Sequence, residues 1–162
     1  MVPESIQLDG HTLRLNGAGI RRRFFLDIYV IGLYVEHPTT DRDMILAADT
    51  PRRVHIQLVR SVSAEQMRGA VAEAFRRAAG DAMPNLEARL ARLETMLRAG
   101  GPGDVTTLTW IPARGLVVTD DGHELGTIEG KDCADVVFGV WMGPRPVDEG
   151  LARALLAGGS TE

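Results

Sequence analysis

The stretch from Phe24 to Val35 constrains this chain more than any other. It is dense in Phe, Ile, Val, Leu and Tyr, residues that fit the interior of a pleated sheet and lose rotamer freedom on a helix. Such a run predicts a strand buried on both faces rather than a helix. Gly32 within it predicts a bulge, or the close approach of another element. Upstream, Ile6 and Leu8 alternate with polar residues, Asp9-Gly10 marks a hairpin turn, and Thr12 to Leu15 resume the alternation. Downstream, Val54, Ile56 and Leu58 alternate with His55, Gln57 and Val59, which makes His55 an exposed strand residue. Val105 to Ile111, Leu116 to Thr119 and Leu125 to Ile128 read as further strands, with Asp120-Asp121-Gly122 as the turn between the last two.

The helical signals are grouped. A short helix is predicted from Asp41 to Ala48, ended by Pro51. Ser63 and Gln66 have capping-box spacing, and Met67, Ala70, Val71, Ala74, Phe75 and Ala78 share a face, so a helix is expected over 63–79. Pro84 opens a second helix with Leu86, Leu90, Leu93 and Leu97 in register; Gly100-Gly101 stops it, and Arg89, Arg92 and Glu94 form a solvated face. Asp132 caps a third that carries Ala134, Val137, Phe138 and Trp141 and ends at Gly143 before Pro144. Leu151, Leu155 and Leu156 mark a last short one. Strands, helices, strands, helices is the order of an α+β protein, a largely antiparallel sheet with helices layered on one face.

With 162 residues, a single domain over 1–162 is expected, large enough to bury a core without metals or disulfides. The net charge of −4 argues against nucleic-acid binding, and the one dense basic cluster, Arg21-Arg22-Arg23, is too short for a polyanion-binding arm. The lone Cys133 sits among apolar residues, which predicts an inert buried thiol. No run approaches the ~18 apolar residues of a membrane span. The N-terminus lacks the apolar core of a signal peptide; the chain reads as cytoplasmic, or as periplasmic if a leader has been removed.

The familiar catalytic constellations are absent. There is no Gly-x-Ser-x-Gly elbow, no phosphate loop, and no His-x-x-x-His pair among His11, His37, His55 and His123, so neither a metal nor a cofactor is expected. Asn16-Gly17-Ala18-Gly19 is too short for a dinucleotide fingerprint and is expected to join two strands. Asp120-Asp121 is a turn before it is a metal site. What remains is Arg21 leading into Tyr29 and Tyr34. Residues eight apart in an extended strand share a face if no bulge intervenes. A guanidinium and a phenol on one wall of an apolar cavity hold a carboxylate or enolate oxygen, since Arg stays charged when partly desolvated. On spacing alone the plainer alternative stays ahead: a surface arginine beside a packed core tyrosine.

Gly17-Ala18-Gly19-Ile20-Arg21, followed by Tyr29-Val30-Ile31-Gly32-Leu33-Tyr34-Val35, resembles the signature of the chalcone isomerase superfamily. Val137-Phe138-Gly139-Val140-Trp141-Met142-Gly143, then Pro146-Val147-Asp148, resembles the closing helices of its bacterial chalcone isomerase-like branch. The likeness runs from about Val2 to Leu156 and implies an open-faced β-sandwich. In the plant enzymes the Arg that Arg21 matches stabilises the substrate's oxyanion. The other catalytic positions fall on Leu58, Met67, Ala74, Val140 and Tyr29, where apolar groups mostly replace the polar ones that orient a flavonoid. The family also holds non-catalytic fatty-acid binders in which the same Arg pairs with a Tyr around the carboxylate. The resemblance therefore implies a fatty acid or similar amphiphilic carboxylate held by Arg21 and Tyr29, with Met67, Ala74 and Val140 lining the cleft. The alternative is an isomerase or lyase using Arg21 against an enolate, with Tyr29 or Tyr34 as its acid or base. A third reading is a purely structural or partner-binding domain whose cleft is filled by Met67, Phe75 and Trp141.

Overall fold

The computed structural model describes residues 3–159. Its frame is a seven-stranded antiparallel sheet whose spatial order is the chain order. The strands are β1 (Ser5–Leu8), β2 (His11–Arg23), β3 (Leu26–Val35), β4 (Arg52–Leu58), β5 (Val105–Ile111), β6 (Gly115–Asp120) and β7 (His123–Ile128). The helices are α1 (Arg42–Ala47), α2 (Ala64–Ala79), α3 (Glu87–Met96), α4 (Lys131–Met142) and α5 (Glu149–Leu155). The fold is α+β, the open-faced sandwich expected, with helices packed over one face of the sheet.

That face is set by alternation. Ile31, Leu33 and Val35 of β3, Val54 of β4 and Leu108 of β5 point into one apolar core with Phe75 of α2, Leu90 and Leu93 of α3, and Val137 and Phe138 of α4. The opposite face is also covered around β3. Tyr34 is fully buried there, its hydroxyl donating to the Pro3 carbonyl at 2.5 Å, and its ring meets His55 edge-on at 6.4 Å. The expectation of two buried faces thus holds for Ile31 to Val35. His55 is half-buried rather than exposed, and its Nε2 is buried with no hydrogen-bond partner among the described residues.

Several expectations are corrected. β3 starts at Leu26, because Phe24 and Phe25 form the β2–β3 turn, both at positive φ. Gly32 is no bulge; it pairs in regular register with Ala18 and His55. The register shifts lie between Leu15 and Gly17 and between Arg21 and Arg22. Asn16 to Gly19 lie inside β2 instead of connecting strands. A Cβ on Gly17 would stand 2.1 Å from the Ala154 carbonyl oxygen, and one on Gly19 2.6 Å from Leu151 Cδ1. The two glycines let α5 rest directly on β2, where Asn16 Nδ2 also donates to the Leu155 carbonyl at 2.7 Å.

Pro84 lies in a 3-10 turn (Gly80–Asn85), and α3 begins after it and ends at Met96, ahead of the glycine pair. Asp132 is not a cap; the N-cap of α4 is Gly130, and Asp132 accepts from both terminal guanidinium nitrogens of Arg89 at 2.8 and 3.1 Å. Arg92 reaches Glu129 at 2.9 Å. The polar face of α3 therefore ties that helix to the β7–α4 connection. The Ser63 capping box on α2 forms as expected, each partner bonding the other's backbone.

Candidate ligand cavity

Between the sheet and α2, α3 and α4 the core does not close. A cavity of about 750 Å³ remains, within the ~300–1,000 Å³ typical of small-molecule sites. Its apolar wall is built from Tyr29, Ile56, Leu58 and Leu108 on the sheet, Met67, Val71 and Ala74 on α2, and Val137, Val140 and Trp141 on α4. α2 lines the opening with two small residues, the exposed Ala70 and the buried Ala74, beside Met67 and Val71.

Arg21, Tyr29, Met67, Ala74 and Val140 all line this one cavity, as does Leu58. Arg21 and Tyr29 face it together, but not as residues of one strand. They are directly opposed across the β2–β3 ladder, which sets their Cβ atoms about 5 Å apart on the same face. The two-residue hairpin pairs Arg22 with Asp27; the next pair is Arg21 with Tyr29, so Ile28 is the extra residue of a bulge. That bulge re-aims the strand and brings the phenol beside the guanidinium.

Arg21 is lightly committed. Its side chain is 24% exposed, its Nη1 donates to the Arg22 carbonyl at 3.2 Å, and the Asp148 carboxylate stands 3.9 Å away, outside hydrogen-bonding range. Asp148 spends its other oxygen capping α5 through the Leu151 amide at 2.8 Å. Tyr29 accepts a hydrogen bond from Trp141 Nε1 at 2.8 Å, which leaves its own proton to be donated into the cavity. Burial raises the Tyr29 pKa above its ordinary value, opposed by the Trp141 hydrogen bond and the Arg21 charge. Near neutral pH the pair is one fixed cation beside one neutral hydroxyl donor, both directed at the same space. Such a pair can take up an anion's oxygen atoms, and the apolar wall of Ile56, Met67, Ala74 and Val140 could contact an aliphatic tail.

Tyr34 lies on the other face, its hydroxyl bonded to Pro3 and its pKa pushed up to about 12 by burial; it does not share the cavity with Arg21. Met67, Phe75 and Trp141 form wall and leave the space open. The residues that spacing alone missed are Trp141 as the partner of Tyr29, and Asp148 as the nearby counter-charge. A signal for the first existed: a tryptophan on the buried face of a helix needs an acceptor for its N–H. Cys133 is buried, with its thiol pushed up to about 11 by desolvation. Among the described residues no cluster of His, Cys, Asp and Glu has the geometry of a metal site, and no helix is long and apolar enough to cross a membrane.

The sequence matches the family model described as chalcone isomerase-like over residues 1–157. No curated protein matches it by sequence. Among solved structures, the chain is similar to a fatty-acid-binding protein of Arabidopsis thaliana, with a TM-score of 0.80 at 18% identity, over 96% of this chain and 91% of that one.

Proposed function

The chain belongs to the chalcone isomerase-like family, and on that premise we propose that it binds a fatty acid or similar amphiphilic carboxylate without turning it over. The observation that carries this reading is the open cavity in which Arg21 and Tyr29 stand paired across the ladder beside the apolar wall of Ile56, Leu58, Met67, Ala74, Val137 and Val140, while further charged groups, Arg23, Arg60, Arg77, Arg98, Glu73, Asp104 and Asp120, also line it. Arg21 takes the carboxylate, Tyr29 donates a second hydrogen bond to it, and Met67, Ala74 and Val140 contact the acyl chain. The plant fatty-acid-binding protein of the same fold is consistent with this assignment.

Each buried methylene contributes about 0.8 kcal/mol. Calorimetric titration with saturated acids of increasing length is expected to show roughly fourfold tighter binding per added carbon, until the cavity is full. Tyr29→Phe removes the hydroxyl donor and leaves the Trp141 indole N–H without its acceptor; both changes lie at the head-group end, so every member of the series weakens by about the same factor. Affinity independent of chain length, or turnover of chalcones by the purified protein, would replace this reading; turnover would favour the isomerase alternative, in which Arg21 stabilises an enolate.

A further inference from the structure

Three hairpins in the sheet close with two-residue turns that hold both residues at positive φ. β1–β2 uses Asp9-Gly10 (φ 47 and 83) and β6–β7 uses Asp121-Gly122 (φ 49 and 84). These are the residue types this turn favours, because Gly and Asp tolerate the left-handed region. β2–β3 uses Phe24-Phe25 (φ 52 and 65). A bulky side chain there is strained, and burial does not account for it: Phe24 is 81% and Phe25 fully exposed. Strain kept against the protein's own alternative marks a position with another task.

The surroundings define that task. Ile20, Leu26 and Val59 are also exposed at this corner of the sheet. Interleaved with them are Arg22, Arg23 and, from the end of β4, Arg60. Arg22 is paired with Asp27 at 2.7 Å. Arg23 lies over the Phe24 ring at 5.3 Å, and neither it nor Arg60 has a carboxylate partner among the described residues. A chain of net charge −4 thus concentrates positive charge around its most exposed aromatic rings. Arg23, Phe24, Leu26 and Arg60 also line the cavity, so the cavity reaches this tip.

We infer that the β2–β3 hairpin tip docks on an anionic lipid surface, with Phe24 and Phe25 entering the headgroup boundary and Arg22, Arg23 and Arg60 facing the phosphates. Exposed aromatics beside arginines are the pattern of an interfacial anchor. A protein partner fits less well. Two phenyl rings at a convex tip offer about 400 Å², against the ~600–1,000 Å² that each partner buries in a specific protein interface. The docked orientation places the cavity against the bilayer, where an amphiphile passes between the two without crossing water.

The test is co-sedimentation with vesicles of phosphatidylcholine, with and without phosphatidylglycerol, none containing free fatty acid. Wild type is expected to sediment with the anionic vesicles and to be released by salt. Phe24→Asn/Phe25→Gly installs residues that prefer this turn, so its melting temperature should equal or exceed that of wild type while its partition coefficient falls about tenfold per ring removed. Arg23→Gln and Arg60→Gln each cost about fivefold. Equal sedimentation of wild type and the double Phe variant overturns the proposal. So does wild type that stays in solution with both vesicle types, or a dimer in sedimentation velocity that the double variant dissolves. Fatty-acid affinity measured separately, without vesicles, keeps the two readings apart: wild type that sediments yet binds no fatty acid defeats the proposed function alone.

Discussion

Arg21→Met is the substitution that separates a carboxylate anchor from a surface arginine. In the unliganded protein Arg21 makes one hydrogen bond, to the Arg22 carbonyl at 3.2 Å, and faces Asp148 at 3.9 Å. Contacts of that kind contribute at most ~1 kcal/mol to stability. Met keeps most of the stem's apolar surface, so the variant folds with a small shift in melting temperature. A charge-assisted hydrogen bond to a bound carboxylate is worth about 1.5–3 kcal/mol, or roughly 10- to 150-fold in Kd. The Asp148 carboxylate already draws on the guanidinium's field, which places the expected loss in the lower half of that range. The assay is a cycle: acid and alcohol of one chain length, each titrated into wild type and Arg21→Met. Wild type should prefer the acid, and the variant should lose that preference while binding the alcohol about as well as before. An acid-to-alcohol ratio unchanged by the substitution would refute the anchoring argument, even if both affinities fell, because a general loss reports disturbed packing and not a lost cation.

Two further predictions test the frame around the site. Gly17→Ala should cost about 3 kcal/mol, from overpacking against the Ala154 and Leu155 carbonyls of α5, which are backbone and cannot swing aside; Gly69→Ala on α2, where a Cβ meets nothing within 4 Å, should gain about 0.5–1 kcal/mol. Thermal melts of the pair decide it, and equal shifts would sink the close-packing account. Burial and the Arg53 charge lower the His55 pKa in the folded protein, so below the ordinary histidine value of ~6.5 the unfolded chain binds the proton more readily and stability falls as pH drops. His55→Gln should flatten this part of the stability-versus-pH curve; an unchanged slope would mean that the titration belongs to another group.

What was legible in the residues was whatever depends on local pattern. Alternation located β4, β5 to β7 were read as strands around the Asp120-Asp121-Gly122 turn, the capping box located the start of α2, and Asp-Gly marked two of the three tight hairpins. The third was hidden because Phe24-Phe25 carries the chemistry of a strand while adopting the conformation of a turn. That disguise merged the end of β2, the turn and β3 into one apparent strand. It also made Arg21 and Tyr29 look like neighbours along a strand when they are partners across a ladder. Parity of eight residues and the true pairing lead to the same face for unrelated reasons, the second depending on a bulge at Ile28 that no composition signals. The Gly-Ala-Gly run could be matched to a family, but its physical task, admitting α5 onto β2, needs the helix in place before the missing side chains make sense. That docking brings Asp148 within 3.9 Å of Arg21, and α4 brings Trp141 to the Tyr29 hydroxyl. Both groups that tune the pair lie more than 100 positions along the chain, so spacing could propose Arg21 and Tyr29 but not the protonation and hydrogen-bond state in which they meet a ligand.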